Sequence, residues 1–174
     1  MYTSKGFTLY ELLATISIIL ILTSTAVPAL QQLYLSIRAQ NLYREIFVLI
    51  QYTRSTAAFH STSVILCPSQ NEEHCSSNWQ HPLIIFIDGN NNKKRDSNEA
   101  IERHADLLNP GEKFVWRAFG SSRYIRFIAD GSTEYQSGNF SVCLSNTSIE
   151  QIKLYKTGRA RKALPSEIKE EYFQ

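Results

Sequence analysis

Cysteine is scarce, with three in 174 residues, too few for a scaffold built on disulfides, so a hydrophobic core has to supply most of the stability. The seven glycines are scattered and form no phosphate-binding loop. The four histidines (60, 74, 81 and 104) have no HExxH spacing, and there is no G-x-S-x-G elbow. No motif gathers a nucleophile, a base and an orienting group, so the sequence predicts neither an enzyme nor a cofactor. Strong net charge is also lacking: 18 Lys and Arg against 16 Asp and Glu leave +2, which excludes a polybasic protein of the histone kind. General disorder is excluded by 43% hydrophobic and 20% charged residues. No internal repeat or low-complexity segment is present.

Charge is absent altogether from the 26 residues between Glu11 and Arg38, and Leu12 to Leu22 (LLATISIILIL) is almost wholly aliphatic. As a helix those residues would span about 39 Å, enough to cross a hydrocarbon core of about 30 Å. A signal peptide would end in a small-residue cleavage site after the apolar run, whereas here the helical pattern continues beyond it. The run therefore reads as a retained membrane anchor.

A six-residue hydrophilic leader, MYTSKG, precedes Phe7, Thr8, Leu9, Tyr10 and Glu11. This start resembles the type IV pilin superfamily. The resemblance implies that a prepilin peptidase cuts between Gly6 and Phe7 on the cytoplasmic side and methylates the new amine, leaving Glu11 as the fifth mature residue. Pro28 falls where these proteins commonly carry a helix-weakening proline. A carboxylate within a membrane span costs about 2.5–3.5 kcal/mol at the helix centre, so Glu11 needs a partner or a function. The resemblance supplies one: the Phe7 amine of a neighbouring subunit in a filament. A carboxylate resting in the headgroup region is the plainer alternative for the unassembled chain.

Beyond Pro28, Leu42, Ile46, Leu49, Ile50 and Ala57 keep the spacing of an apolar helical stripe, with Arg38, Arg44, Glu45 and Arg54 off it. One helix is expected from about 8 to 59. Short β-rich runs follow at 63–67, 83–87, 114–119, 124–128, 140–144 and 151–155. The run LIIFI at 83–87 lacks alternation and should be buried on both faces. The fold class is therefore α+β: a long N-terminal helix, its first half transmembrane, and a head of two small antiparallel sheets, the pilin architecture. The expected divisions are a leader at 1–6, an anchor and filament-core helix at 7–33, a head at 34–162 and a tail at 163–174.

Cys67 and Cys75 bracket a polar loop, and a retained anchor puts them in the oxidising periplasm, so a bridge between them is expected. Closing nine residues would stabilise the fold by about 2.5 kcal/mol on the chain-entropy model. Cys143 would then be a free thiol near a sheet core, although its pairing with either of the others stays open. Zinc on His74 and His81 fits no common structural pattern. Asp88, Asn90, Asn92, Lys94, Asp96 and Glu99 stand in the register of an EF-hand loop. Lys93 occupies the glycine position, three cations crowd the loop, and it leaves a strand, so a solvated hairpin is the preferred reading and no metal is expected.

Charge is segregated along the chain. Residues 112–162 hold nine cations against four acids. In 151–162 (QIKLYKTGRARK), strand alternation turns Ile152 and Leu154 inward and Lys153 and Tyr155 outward. If that parity survives Gly158, Arg159 and Arg161 join the outer face. The result is a cationic ridge flanked by Lys156 and Lys162, with Arg117, Arg123 and Arg126 on earlier strands as further candidates. Cations can merely decorate a solvated edge strand. Arginine in this density, however, suits paired recognition of phosphate.

The G-R-x-R at 158–161 is similar to a motif near the C-terminus of FimT-type minor pilins, where these arginines contact DNA. With the Cys67-Pro68 turn, the Asp/Asn-rich hairpin at 88–99 and the Phe-x-Val-Cys strand at 140–143, nearly the whole chain resembles the GspH/FimT family. The resemblance implies a minor pilin that binds double-stranded DNA without sequence preference and promotes uptake in natural transformation. The ridge cations would hold phosphates, the Gly158 N–H would allow close approach, and Tyr155 would stack on a base. Other major and minor pilins, the prepilin peptidase and the inner membrane are the further partners implied, with the head in the periplasm and later in a filament. The alternative is a purely structural FimU- or GspH-like subunit that primes a pilus or a type II secretion pseudopilus. A departure from the family is the tail beyond Lys162, with Glu167, Glu170 and Glu171. Two placements of that tail are open, against the ridge or away from it.

Overall fold

The computed structural model describes residues 8–144 and 148–168. The leader, Gly6 and Phe7 lie outside the described residues, as do Glu170 and Glu171. The chain divides into two units at Ile37/Arg38.

Helix α1 runs Leu9–His60, one residue from the expected bounds at each end. Its start is fixed by a capping box: the Thr8 hydroxyl accepts from the Glu11 N–H (3.3 Å), and Glu11 Oε2 accepts from the Thr8 N–H (3.0 Å). The helix runs through Pro28. In the first unit Leu12, Leu13, Ile18, Leu20, Ile21 and Leu22 are all exposed. This stretch is long and apolar enough to cross a membrane. In the second unit the buried positions are Ala39, Leu42, Ile46, Leu49, Ile50, Thr53, Thr56 and Ala57, a single stripe at helical spacing.

The head holds two four-stranded antiparallel sheets. Sheet A has the order β3-β2-β1-β5, from β1 (Ser63–Pro68), β2 (Leu83–Asp88), β3 (Ile101–Ala105) and β5 (Ile125–Phe127). Sheet B has the order β4-β6-β7-β8, from β4 (Glu112–Phe119), β6 (Ser137–Leu144), β7 (Ser148–Leu154) and β8 (Ala160–Lys162). The unalternating β2 is buried at Leu83–Phe86 and Asp88 and half-buried at Ile87, as a central strand covered on both faces should be.

Ile65, Cys67, Ile84 and Phe86 form a cluster on sheet A, with Cys75, Ile101 and Tyr124 against it. Sheet B has an aromatic core instead: Trp79 meets Phe140 edge-on at 5.1 Å, and Phe114 lies 5.3 Å from Phe140. Both indoles are satisfied, Trp79 by the Ser122 carbonyl (2.7 Å) and Trp116 by that of Ser121 (3.0 Å). The second half of α1 touches both sheets. Arg38 pairs with Glu112 of β4 (2.8 Å), and the Tyr52 ring lies 3.9 Å beneath the Arg103 guanidinium of β3.

The expected Cys67–Cys75 disulfide is present, and Cys143 is free. The Asp/Asn-rich loop joins β2 to β3 as a hairpin. Asp88 accepts from the N–H groups of Asn92 (3.0 Å) and Lys93 (3.1 Å), Asp96 from the Asn90 and Asn92 amides, and Glu99 from the N–H groups of Gly89 and Asp96. The acidic positions thus close the loop on itself.

Candidate nucleic-acid interface

Register in sheet B puts four side chains in one row. Arg117 pairs with Asn139, Asn139 with Lys153, and Lys153 with Arg161. Directly opposed residues of antiparallel strands share a face, so Arg117, Lys153 and Arg161 line up across the sheet over about 14 Å, three strand spacings. The neighbouring row, Trp116, Phe140 and Ile152, is buried, so the cationic row is on the opposite face.

Beyond Leu154 the chain turns tightly. Gly158 donates to the Tyr155 carbonyl (2.8 Å) and Tyr155 to that of Arg159 (3.0 Å). Gly158 has φ +76° and is buried; a Cβ there would collide with the Gly131 carbonyl oxygen. Gly131 is in turn held by Arg54 of α1, whose Nε donates to the same oxygen (2.9 Å). The Thr133 N–H donates to the Lys156 carbonyl (3.0 Å), and its hydroxyl, which donates to the Gln136 carbonyl, lies 3.1 Å from the same Lys156 oxygen. The tip is therefore braced from below, with Lys156 and Arg159 exposed at its crest. Neither makes an ion pair with another described residue. Arg54, Gly131 and Thr133 carry no sequence signal of this role beyond the D-G-S turn at 130–132.

Four expectations change. Gly158 does not offer its N–H to a ligand, because that N–H closes the turn and the missing side chain makes room for Gly131. Tyr155 is half-buried, and its hydroxyl accepts from Arg161 Nε (2.9 Å) with the guanidinium 5.7 Å from the ring. The hydroxyl thereby aims the arginine. Lys162 falls on the opposite parity, paired with Glu150 (2.6 Å) off hydrogen-bond alignment and 5.4 Å from the Tyr43 ring. Arg126 belongs to β5 of the other sheet, where Ser63 (2.7 Å), Glu134 (3.2 Å) and Asn91 (2.9 Å) take its donors. Arg123 is exposed on the β4–β5 connection, away from the register row.

The described part of the tail lies against the ridge at Glu167. After Lys162 the chain enters a 3-10 turn, Pro165–Glu167. The Glu167 carboxylate accepts from Arg161 Nη1 and Nη2 (2.8 Å each), Lys153 Nζ (2.8 Å) and the Leu164 N–H (2.9 Å). The Arg161 bonds above all, then Lys153 and the Leu164 N–H, hold this carboxyl far below the usual range. The Arg161 guanidinium is correspondingly raised, first by Glu167 and then by Tyr155.

Residues 43–158 match a family model described as Type II transport protein GspH. The chain belongs to the GspH family. Two crystal forms of the type IV minor pilin FimU from Pseudomonas aeruginosa PAO1 share its fold, with TM-scores of 0.56 and 0.54 at 17% identity. The superpositions cover 74% and 73% of this chain and 90% and 94% of FimU. No curated protein sequence is significantly similar. The type IV pilin fold expected from the sequence is thus the fold observed, in a GspH-family pilin-like protein with an apolar helix suited to a membrane.

Proposed function

We propose that this GspH-family protein is a minor pilin of a type IV pilus that binds double-stranded DNA without sequence preference and aids its uptake in natural transformation. The observation that carries the reading is the register row of Arg117, Lys153 and Arg161, continued at the braced tip by Lys156 and Arg159. Duplex phosphates follow one another along a backbone, and several cations in one row on a sheet can meet more than one of them without reading bases. In this reading prepilin peptidase removes 1–6, Phe7 is methylated, and the head faces the periplasm. Glu11 then pairs with the Phe7 amine of the next subunit during assembly.

A purely structural subunit is the second reading. It is favoured by the Glu167 carboxylate, which occupies two of the cations a DNA site would use. The test is fluorescence anisotropy of a labelled 30-base-pair duplex with the full chain in neutral detergent. Arg159→Gln with Arg161→Gln should weaken binding at least tenfold. It should also flatten the dependence of log affinity on log salt by about 0.9 for each arginine that engages a phosphate. Unchanged affinity with the fold intact would put the structural subunit first.

A further inference from the structure

The donors that meet Glu167 are those a phosphate would require. The Arg161 fork presents Nη1 and Nη2 to the two carboxylate oxygens, and Lys153 adds a third donor from the adjacent strand. Tyr155 takes Nε and so leaves the Nη edge facing outward. A guanidinium edge receives a carboxylate and a phosphate in the same bidentate geometry. The seat therefore fits a DNA phosphate and is filled by the chain's own acid.

Among the described residues, the polar hold on the turn is one side chain. Ala163 is buried and donates to the Gln151 carbonyl (2.8 Å), continuing the sheet edge. From Leu164 the chain leaves the sheet, with Leu164, Pro165 and Ser166 exposed and Ile168 half-buried. Among the described residues, every polar contact from 164–168 to the head passes through the Glu167 carboxylate; the remaining backbone bonds stay within the turn. These side chains keep a quarter to a third of their surface in water, so salt screens the pairs in part, and a polyanion that offers phosphate oxygens to the same donors can displace the latch.

We propose that Glu167 is a cis-acting competitor for the phosphate seat of Lys153 and Arg161, so that the tail restrains DNA binding until it is displaced. The proposal rests on the DNA-binding reading above. With the latch closed, Lys156 and Arg159 at the tip are the cations that meet DNA first. With it open, Lys153 and Arg161 are added, and the number of engaged phosphates rises by two.

The experiment compares wild type, Glu167→Gln and a chain ending at Ala163, each as the otherwise full chain in neutral detergent, titrated against the labelled duplex between 50 and 200 mM salt. Both variants should bind about tenfold more tightly at the low-salt end, and the log-log salt slope should steepen by about 1.8, two contacts at 0.9 each. Arg161→Gln in the Glu167→Gln background should abolish most of the gain. Glu73→Gln, which makes the same change in net charge on a remote loop, should leave wild-type binding unchanged. Binding by wild type that depends on Arg159 but is unaltered in both tail variants would overturn the latch and leave the DNA-binding reading standing. An equal gain from Glu73→Gln would also overturn it, as a mere effect of net charge. No binding by any of these chains would overturn both.

Discussion

The two sheets use arginine in opposite ways. In sheet A, Arg126 is enclosed: Ser63 on β1, Asn91 in the β2–β3 hairpin and Glu134 in the β5–β6 connection take its donors. Removing the guanidinium would leave those acceptors without it and loosen three segments at once. In sheet B, Arg161 faces outward, held by Tyr155 on one side and by Glu167 on the other. Both arginines meet a carboxylate, so pairing alone does not separate structure from recognition. The distinction is where the partners reside, in loops the sheet cannot lose or in a turn it can release. Sheet A is also closed covalently, by the Cys67–Cys75 bridge at the end of β1, whereas the free Cys143 is in sheet B.

The largest effect that tests this contrast is on the bridge. Cys67→Ser with Cys75→Ser should lower the unfolding free energy by about 2.5 kcal/mol on the chain-entropy model, read from the denaturant midpoint of the head. Affinity for duplex DNA well below the transition should not change, because the ridge is in the other sheet. A loss of affinity in the folded double variant would show that the two sheets are not separable in function.

Arg126→Gln comes next. Hydrogen bonds to a charged group contribute about 1.5–3 kcal/mol when buried, and this side chain is only partly so, which puts the expected loss of stability near 1.5 kcal/mol. DNA affinity and its salt slope should match wild type. A flatter slope would place Arg126 back among the phosphate contacts and erase the contrast.

Much of this layout was legible in the chain. Periodicity locates α1 to a residue at each end, and six of the eight strands among the described residues, because both signals are local and strong. β3 (IERHA) and β8 (ARK) were not foreseen: one is mostly polar, the other three residues long, and each is an edge strand stabilised by a single neighbour. Parity alone grouped Lys153 with Arg161, since their cross-strand pairing follows from a tight turn at 155–158. It could not show that Gly158 exists for the sake of Gly131, or that Arg126 is enclosed. Those facts depend on segments distant in sequence that only the fold brings together. The seat of Glu167 was out of reach for the same reason, since the tail has no periodicity to constrain it.

The smallest effect concerns Cys143, the free thiol on sheet B. It is half-buried on β6 beside Lys113. Burial pushes its thiol up to about 11, with the Lys113 charge only partly opposing the shift. The sign is that of a group kept neutral by the fold: the thiolate, the reactive form, is disfavoured throughout the physiological range and appears only as pH rises towards the raised value. Alkylation of the folded protein at pH 8 should therefore be about a hundredfold slower than for an ordinary exposed thiol, from a shift of about two pH units. The rate should climb steeply above pH 10. Cys143→Ala should change stability by less than about 0.5 kcal/mol, as for a position outside the packed core. Rapid labelling at pH 8 in the folded state would mean that this part of sheet B opens locally. In that case the ridge would stand on a mobile support, and its rigidity would have to come from the brace of Arg54, Gly131 and Thr133 alone.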